Sequence, residues 1–323
     1  MLCKNGEEHS IEILRDKDME ELVMPLMDAH ARREFSSNGQ WDLAYETEDL
    51  VRYRVNLYRQ KGSAGAVFRI LPEKILKAED LGLPEAVFNL YTKRRGMVLV
   101  TGVTGSGKST TLAALVDLIN RQLKKHIITL EDPIEYIHWS DVSNISQREV
   151  GQDTDSFASA LRAALREDPD VILVGEMRDT ETMEIGLESA ETGHMVFSTL
   201  HTMGALHTIG RIVGMFEASR QQQIRDRVSN VLGAVVSQQL LPKAGEKGYA
   251  VAFEILLNNK KITKFITDNN LDGLEEYMRT SEAVNEGMIL MDDSIRLLYR
   301  LGKISRETAI SYAVDRLSME QLI

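Results

Sequence analysis

The octapeptide Gly102-Val103-Thr104-Gly105-Ser106-Gly107-Lys108-Ser109 constrains this chain more than any other feature. Glycines at these positions let the backbone curl where a side chain would block it. The apolar run Met97 to Thr101 leads into the turn, and Leu112, Leu115, Val116 and Ile119 recur beyond it at helical spacing. Strand, glycine-rich turn and helix in that order match the phosphate-binding spacing G-x-x-x-x-G-K-[ST]. The backbone N–H groups of such a loop face phosphate oxygens, and the helix N-terminus adds positive potential. The expected nucleotide-binding set is Gly102, Thr104, Gly105, Ser106, Gly107, Lys108, Ser109 and Thr110. Lys108 is expected to reach the β- and γ-phosphates of ATP, and the Ser109 hydroxyl to ligate Mg²⁺.

Acidic residues follow two further apolar strands. Val171 to Val174 runs into Gly175-Glu176, which delivers a carboxylate to the carboxyl edge of a parallel sheet. There Glu176 can hold Mg²⁺ directly or through water, although Asp is the commoner residue in that role. The alternative is a charge that merely ends a core strand. After Ile127 to Leu130 comes Glu131-Asp132-Pro133-Ile134-Glu135. Three carboxylates so close repel one another unless a cation is near, and one of them can orient and deprotonate an attacking water. A solvated acidic loop is the alternative.

Two histidines bracket the apolar run Met195 to Thr199. Gly193 closes the preceding helix, with His194 just beyond it. Both His194 and His201 are expected to approach the phosphate site from the sheet edge; the plainer alternative is two surface or hydrogen-bonded histidines. No His-x-x-x-His spacing supports a histidine metal site. Arg52, Arg54 and Arg69 lie far from the glycine-rich loop in sequence, and on their own are a solvated strand face. They matter to chemistry only if their domain packs over a nucleotide, where guanidinium groups stabilise a transferring phosphoryl group.

The chain of 323 residues is long enough for two domains. The only cysteine, Cys3, excludes an internal disulfide and a cysteine-cluster zinc site. A net charge of -11 argues against broad wrapping of nucleic acid, so no nucleic-acid partner is expected. No apolar run approaches a membrane span, and Met1 to Asp16 shows no signal-peptide pattern; a cytoplasmic location is expected.

The expected organisation is a small α/β domain over residues 1–72, a charged, proline-flanked linker over 73–84, and a strand–helix alternating domain over 85–323 ending in helices. In the first, a helix is expected around Asp18 to Arg33. Val51, Tyr53, Val55 and Leu57 alternate with Arg52, Arg54 and Asn56, and Val67, Arg69 and Leu71 alternate with Phe68 and Ile70. Period two predicts strands, with the turn at Gly62 to Gly65. In the second, strands alternating with helices predict a mostly parallel sheet covered on both faces. Beyond Gln239 the pattern predicts a strand over Ala250 to Leu256 and helices over Met288 to Arg300 and Arg306 to Val314.

Taken in order, the glycine-rich loop, Glu131-Asp132-Pro133-Ile134-Glu135, Glu176-Met177-Arg178-Asp179 and Glu191-Thr192-Gly193-His194 with His201 resemble the hexameric secretion-superfamily ATPases. These drive type IV pili and type II and IV secretion. Arg52-Tyr53-Arg54-Val55-Asn56, Gly65-Ala66-Val67-Phe68-Arg69 and Ser146-Gln147-Arg148-Glu149-Val150 are similar to the PilT-like pilus retraction branch. The resemblance implies a PAS-like α/β N-terminal domain joined to a RecA-like P-loop domain with C-terminal helices, assembled as a homohexamer. It implies ATP hydrolysis with Glu135 as base and Glu176 near Mg²⁺. It also implies a histidine box containing His194 and His201, and arginines among Arg52, Arg54 and Arg69 that act across subunits. The implied partner is the pilus platform protein of the inner membrane, and the implied work is pilus retraction. The assembly branch carries a four-cysteine zinc motif, which one cysteine cannot supply. The retraction branch's C-terminal Ala-Ile-Arg-Asn-Leu-Ile corresponds here to Lys261-Ile262-Thr263-Lys264-Phe265-Ile266, which keeps only the isoleucine positions. The alternatives are a nucleotide-switched interaction module with little hydrolysis, and a type II or IV secretion ATPase.

Overall fold

The computed structural model describes residues 2–4, 7–9, 16–245 and 247–323. Most of the opening segment read for a signal peptide therefore lies outside the described residues. The chain divides into two compact units, Met1–Glu73 and Lys74–Ile323.

The smaller unit opens with β1 (Leu2–Lys4) and β2 (Glu7–His9), which pair with each other alone. Then come α1 (Asp16–Val23), α2 (Ala29–Asn38), β3 (Gln40–Glu46), β4 (Arg52–Gln60) and β5 (Ser63–Ile70). The single helix expected over Asp18 to Arg33 is two. Pro25 sits in a 3₁₀ turn between them, and Asp28 starts the second by accepting a hydrogen bond from the Ala31 N–H. Proline lacks the N–H that a continuous helix needs. β3, β4 and β5 form an antiparallel sheet in that order. The reversal between β4 and β5 is Lys61-Gly62, both at positive φ, as a two-residue hairpin turn requires. Gly65, expected in the turn, is instead in β5, where the Tyr58 ring would lie 2.7 Å from any Cβ placed on it. Val55 and Leu57 are buried on the face that meets Phe35, Ala31 and Val23. Arg52 and Arg54 stand on the other face, so the expected alternation holds in β4. In β5, an edge strand, Val67, Phe68 and Ile70 are all exposed, and alternation does not predict burial there.

The larger unit carries α3 (Glu85–Phe88), β6 (Gly96–Thr101), α4 (Lys108–Gln122), β7 (His126–Glu131), β8 (Asn144–Glu149), α5 (Phe157–Ala164), β9 (Val171–Val174), α6 (Thr180–Glu191) and β10 (Met195–Leu200). It continues with α7 (Ala205–Gly214), α8 (Gln221–Val231), β11 (Leu232–Pro242) and β12 (Tyr249–Leu257). The end is helical: α9 (Lys260–Thr267), α10 (Leu271–Met278), α11 (Ser281–Asn285), α12 (Met291–Arg300), α13 (Arg306–Tyr312) and α14 (Arg316–Leu322). Seven strands make one sheet in the order β12-β11-β6-β10-β9-β7-β8, parallel throughout except for β12. This is the α/β class, with a parallel core, that the strand–helix alternation predicts.

Every residue of β6, β9 and β10 is buried, as helices on both faces demand. Leu99, Ile172 and Val196 face one core, and Val98, Leu173 and Phe197 the other. Ala78, inside the stretch read as a linker, is buried against Ala114 and Leu118 of α4. The helix expected from Met288 starts at Met291 because Ile289 pairs with Ile255 of β12 as an isolated bridge.

Candidate functional site

Because β6, β7, β9 and β10 are parallel neighbours, the segments that follow them meet at one edge of the sheet. The glycine-rich loop follows β6. Gly102, Gly105 and Gly107 all have positive φ. A Cβ on Gly102 would collide with the Gln238 carbonyl and the Ser106 hydroxyl, the latter at 2.6 Å, so no other residue fits. A Cβ on Gly105 meets open space, so only its backbone conformation demands glycine. Thr104, Gly105 and Ser109 are exposed, while Ser106 and Lys108 are buried. Lys108 Nζ donates to the carbonyls of Gly102 at 2.8 Å and Val103 at 3.0 Å. Burial pulls its pKa down, while the charges of Glu176 and Glu135 pull it back up. That electrostatic link brings Lys108, Glu176 and Glu135 into one neighbourhood.

Glu176 lies two residues beyond β9, and His201 one residue beyond β10. Val174 is registered with Ser198, so the two side chains emerge side by side. His201 Nε2 is 3.6 Å from Glu176 Oε2, and Arg178 Nε is 2.6 Å from the same oxygen. Thr199 Oγ1 donates to the Gly175 carbonyl at 2.6 Å and locks the two strand ends together.

The acids after β7 divide by environment. Glu131 Oε1 accepts hydrogen bonds from Thr129 Oγ1 at 2.7 Å and Gln147 Nε2 at 3.2 Å. Burial pushes its carboxyl above the usual range, with those bonds opposing. Glu135 is half-buried, and the next residue, Tyr136, shares a 2.8 Å hydrogen bond with Thr110 of α4. The acidic loop is thereby tied to the helix that the phosphate loop begins.

His194 does not join this edge. It precedes β10, whereas His201 follows it, so six strand residues, on the order of 20 Å, separate them. Its Nδ1 lies 2.9 Å from the Ser189 carbonyl and 3.1 Å from Thr192 Oγ1, and its carbonyl accepts from Gly96 N–H at the start of β6. The expectation that both histidines approach the phosphate site from one edge is corrected: a strand carries its two ends to opposite edges of the sheet.

In the smaller unit Arg54 is registered directly opposite Arg69, and Arg52 shares the face of Arg54. Arg52 Nε lies 3.8 Å from Glu46 Oε2. Like charges placed opposite each other on a sheet oppose its pairing.

Sequence reasoning missed Gln238. It is buried in β11, beside Gly102 in the sheet, and its Nε2 donates to the Ser106 carbonyl at 2.7 Å. The available signal was the polar triplet Ser237-Gln238-Gln239 inside an otherwise apolar strand. Of the described residues' buried polar atoms, Thr101 Oγ1, Ser106 Oγ and Gln238 Oε1 find no partner and gather at the base of the loop.

A family model described as "Type II/IV secretion system protein" matches residues 23–302. The chain is 45% identical over 298 residues to a twitching motility protein of Neisseria gonorrhoeae, covering 92% of this chain and 79% of that protein. It is 43% identical over 296 residues to the type IV pilus retraction ATPase PilT of Pseudomonas aeruginosa, covering 92% and 85% respectively. The crystal structure of the pilus retraction motor PilT with bound ADP superposes with a TM-score of 0.86 at 45% identity, over 94% of this chain and 85% of that one.

Proposed function

The chain belongs to the type II/IV secretion system protein family, and on that premise we propose that it is an ATP-hydrolysing motor that retracts type IV pili. The carrying observation is the convergence of Lys108, Glu176, Glu135 and His201 on one sheet edge beside the glycine-rich loop, in a chain so similar to an ADP-bound retraction motor.

The loop's N–H groups and Lys108 hold the phosphates. Lys108 leaves two carbonyl contacts for phosphate oxygens, keeping its charge inside a site where that charge counts strongly. Glu135 orients a water molecule and takes its proton as the water oxygen bonds to the γ-phosphorus and the bond to ADP breaks. Glu131 is too firmly held by Thr129 and Gln147 for that task and instead fixes the loop. His201, beside Glu176, presents an imidazole toward the γ-phosphate side, while His194 keeps its own edge in order.

The donor set suits Mg²⁺. Ser109 offers an exposed hydroxyl and Glu176 a carboxylate, and among the described residues no cluster of His, Cys, Asp or Glu makes an all-protein metal cage. Mg²⁺ characteristically takes one or two protein oxygens plus phosphate oxygens, and bound there it would neutralise charge on the β- and γ-phosphates.

Arg52, Arg54 and Arg69 are proposed to meet the nucleotide of a neighbouring subunit in a homohexamer. The opposition of Arg54 and Arg69 supports this, because an anionic partner relieves the repulsion. The motor is proposed to work at the inner face of the cell membrane on a platform protein, without nucleic acid. Attachment is proposed to go through that partner; no helix among the described residues is long and apolar enough to cross a membrane.

The test is phosphate release by the full chain with Mg²⁺-ATP, beside Lys108→Ala and with EDTA, followed by complementation of a retraction-deficient strain. Turnover that both changes abolish, together with restored twitching, is expected. Wild-type turnover no higher than that of Lys108→Ala would sink the proposal.

A further inference from the structure

Glu254 of β12 is a buried carboxylate that the proposed hydrolysis does not use. Its Oε1 accepts the Ala205 N–H at 2.6 Å, and its Oε2 accepts the Met291 N–H at 3.2 Å. Ala205 is the first residue of α7 and Met291 the first of α12. The residues preceding these helices, Gly204 and Leu290, provide no side-chain cap, so one carboxylate satisfies a first-turn donor of each. It also sits at the positive end of both helix dipoles. Burial raises its carboxyl pKa against the two amide bonds.

Only Thr202, Met203 and Gly204 separate His201 from α7. That short loop is clamped at its far end. The Gly204 N–H donates to Ser237 Oγ at 3.0 Å, Thr208 Oγ1 donates to the Gly204 carbonyl at 2.7 Å, and Thr202 and Thr208 share a 2.7 Å hydrogen bond. Gly204 holds a positive φ, and a Cβ there would lie 3.3 Å from Glu254 Oε1. The first turn of α7 is therefore the seat of the His201 loop.

We infer that Glu254 is a positioning residue for His201: its carboxylate seats the first turn of α7, and through the Gly204 loop holds the imidazole at Glu176. The same carboxylate binds α12, so the placement of His201 is set jointly by the catalytic sheet and the C-terminal helices. This rests on reading the Glu176–His201 edge as an ATPase centre. In Glu254→Gln, one accepting oxygen becomes an amide NH₂ that faces a donor, and the seat loosens without removing volume.

The full chain serves for the test, as wild type, Glu254→Gln, Gly204→Ala, His201→Ala and the Glu254→Gln/His201→Ala double variant. Three quantities are read: kcat and KM for ATP, ADP affinity by calorimetry, and amide hydrogen exchange of peptides spanning 200–210 and 102–110. Glu254→Gln is expected to lower kcat roughly tenfold, because small misplacement of a reacting group is costly, with KM and ADP affinity within about twofold. Exchange in 200–210 should rise while 102–110 stays unchanged. Gly204→Ala should reproduce the pattern from the loop side and carries the test if Glu254→Gln does not fold. The double variant should be no slower than His201→Ala alone. A kcat within twofold of wild type, multiplicative losses in the double variant, or unchanged exchange in 200–210 each overturn the inference. A wild type without turnover overturns the ATPase reading, and hydrogen exchange still decides the positioning.

Discussion

His201 Nε2 lies 3.6 Å from Glu176 Oε2, across the ends of two neighbouring parallel strands. The same oxygen takes Arg178 Nε at 2.6 Å. Glu176 is thus shared between an imidazole and a guanidinium at the edge where Lys108 lies. Its two nitrogen partners differ in exposure: the Arg178 side chain is 71% exposed and that of His201 43%. His201, the less exposed of the two, is the partner proposed to act on a bound phosphate. His201→Ala should lower kcat by about 10²-fold, as loss of a preorganised donor does, with ADP affinity nearly unchanged. Steady-state kinetics beside ADP calorimetry check this, and an equal loss in both would show that His201 serves binding.

Two glycines of the phosphate loop should respond differently to alanine. Gly102→Ala collides with the Gln238 backbone and the Ser106 side chain and should abolish nucleotide binding and destabilise the unit by about 2 kcal/mol or more. Gly105→Ala meets only open space and should cost about 1 kcal/mol through its positive φ. Thermal unfolding and ADP titration of both variants provide the comparison.

The two glutamates bracketing the acidic loop should separate stability from catalysis. Glu135→Gln is expected to reduce turnover by about 10²-fold or more while ADP still binds. Glu131→Gln keeps an oxygen that can accept from Thr129 and Gln147. Because burial raises the Glu131 pKa, its ionisation opposes folding as pH climbs past the ordinary carboxyl range. Removing that charge should leave the protein equally or more stable at neutral pH, as denaturant midpoints of the two variants will show.

His138 should shape the acid limb of stability. Burial lowers its pKa from 6.5 to about 4, and among the described residues its Nδ1 has no partner. Between those values the unfolded chain binds the proton and the folded chain does not. Stability is therefore full above pH 6.5 and falls as pH drops toward 4, by about 3 kcal/mol at most. His138→Gln should flatten that limb. Urea unfolding of both proteins at pH 7 and pH 5 gives the comparison, and parallel pH dependences would contradict it.

Local features of the sequence settled the phosphate loop, the alternation of strand and helix, and the arrival of Glu176 and Glu135 at strand ends. Each is written within a few consecutive residues: a glycine spacing, a period of two or of 3.6, an acid after an apolar run. The break between α1 and α2 was equally local, since Pro25 cannot continue a helix. Tertiary structure alone decided which strands are neighbours. Inserting β10 between β6 and β9 brings His201 to Glu176, while the direction of that same strand sends His194 to the far edge. It also decided the uses of Gln238 and Glu254, polar residues on β11 and β12 whose partners Ser106, Ala205 and Met291 lie far away in sequence. A buried polar group must find a partner, but the chain's local pattern cannot say where, because strand order and register are fixed only when distant segments pack into one core.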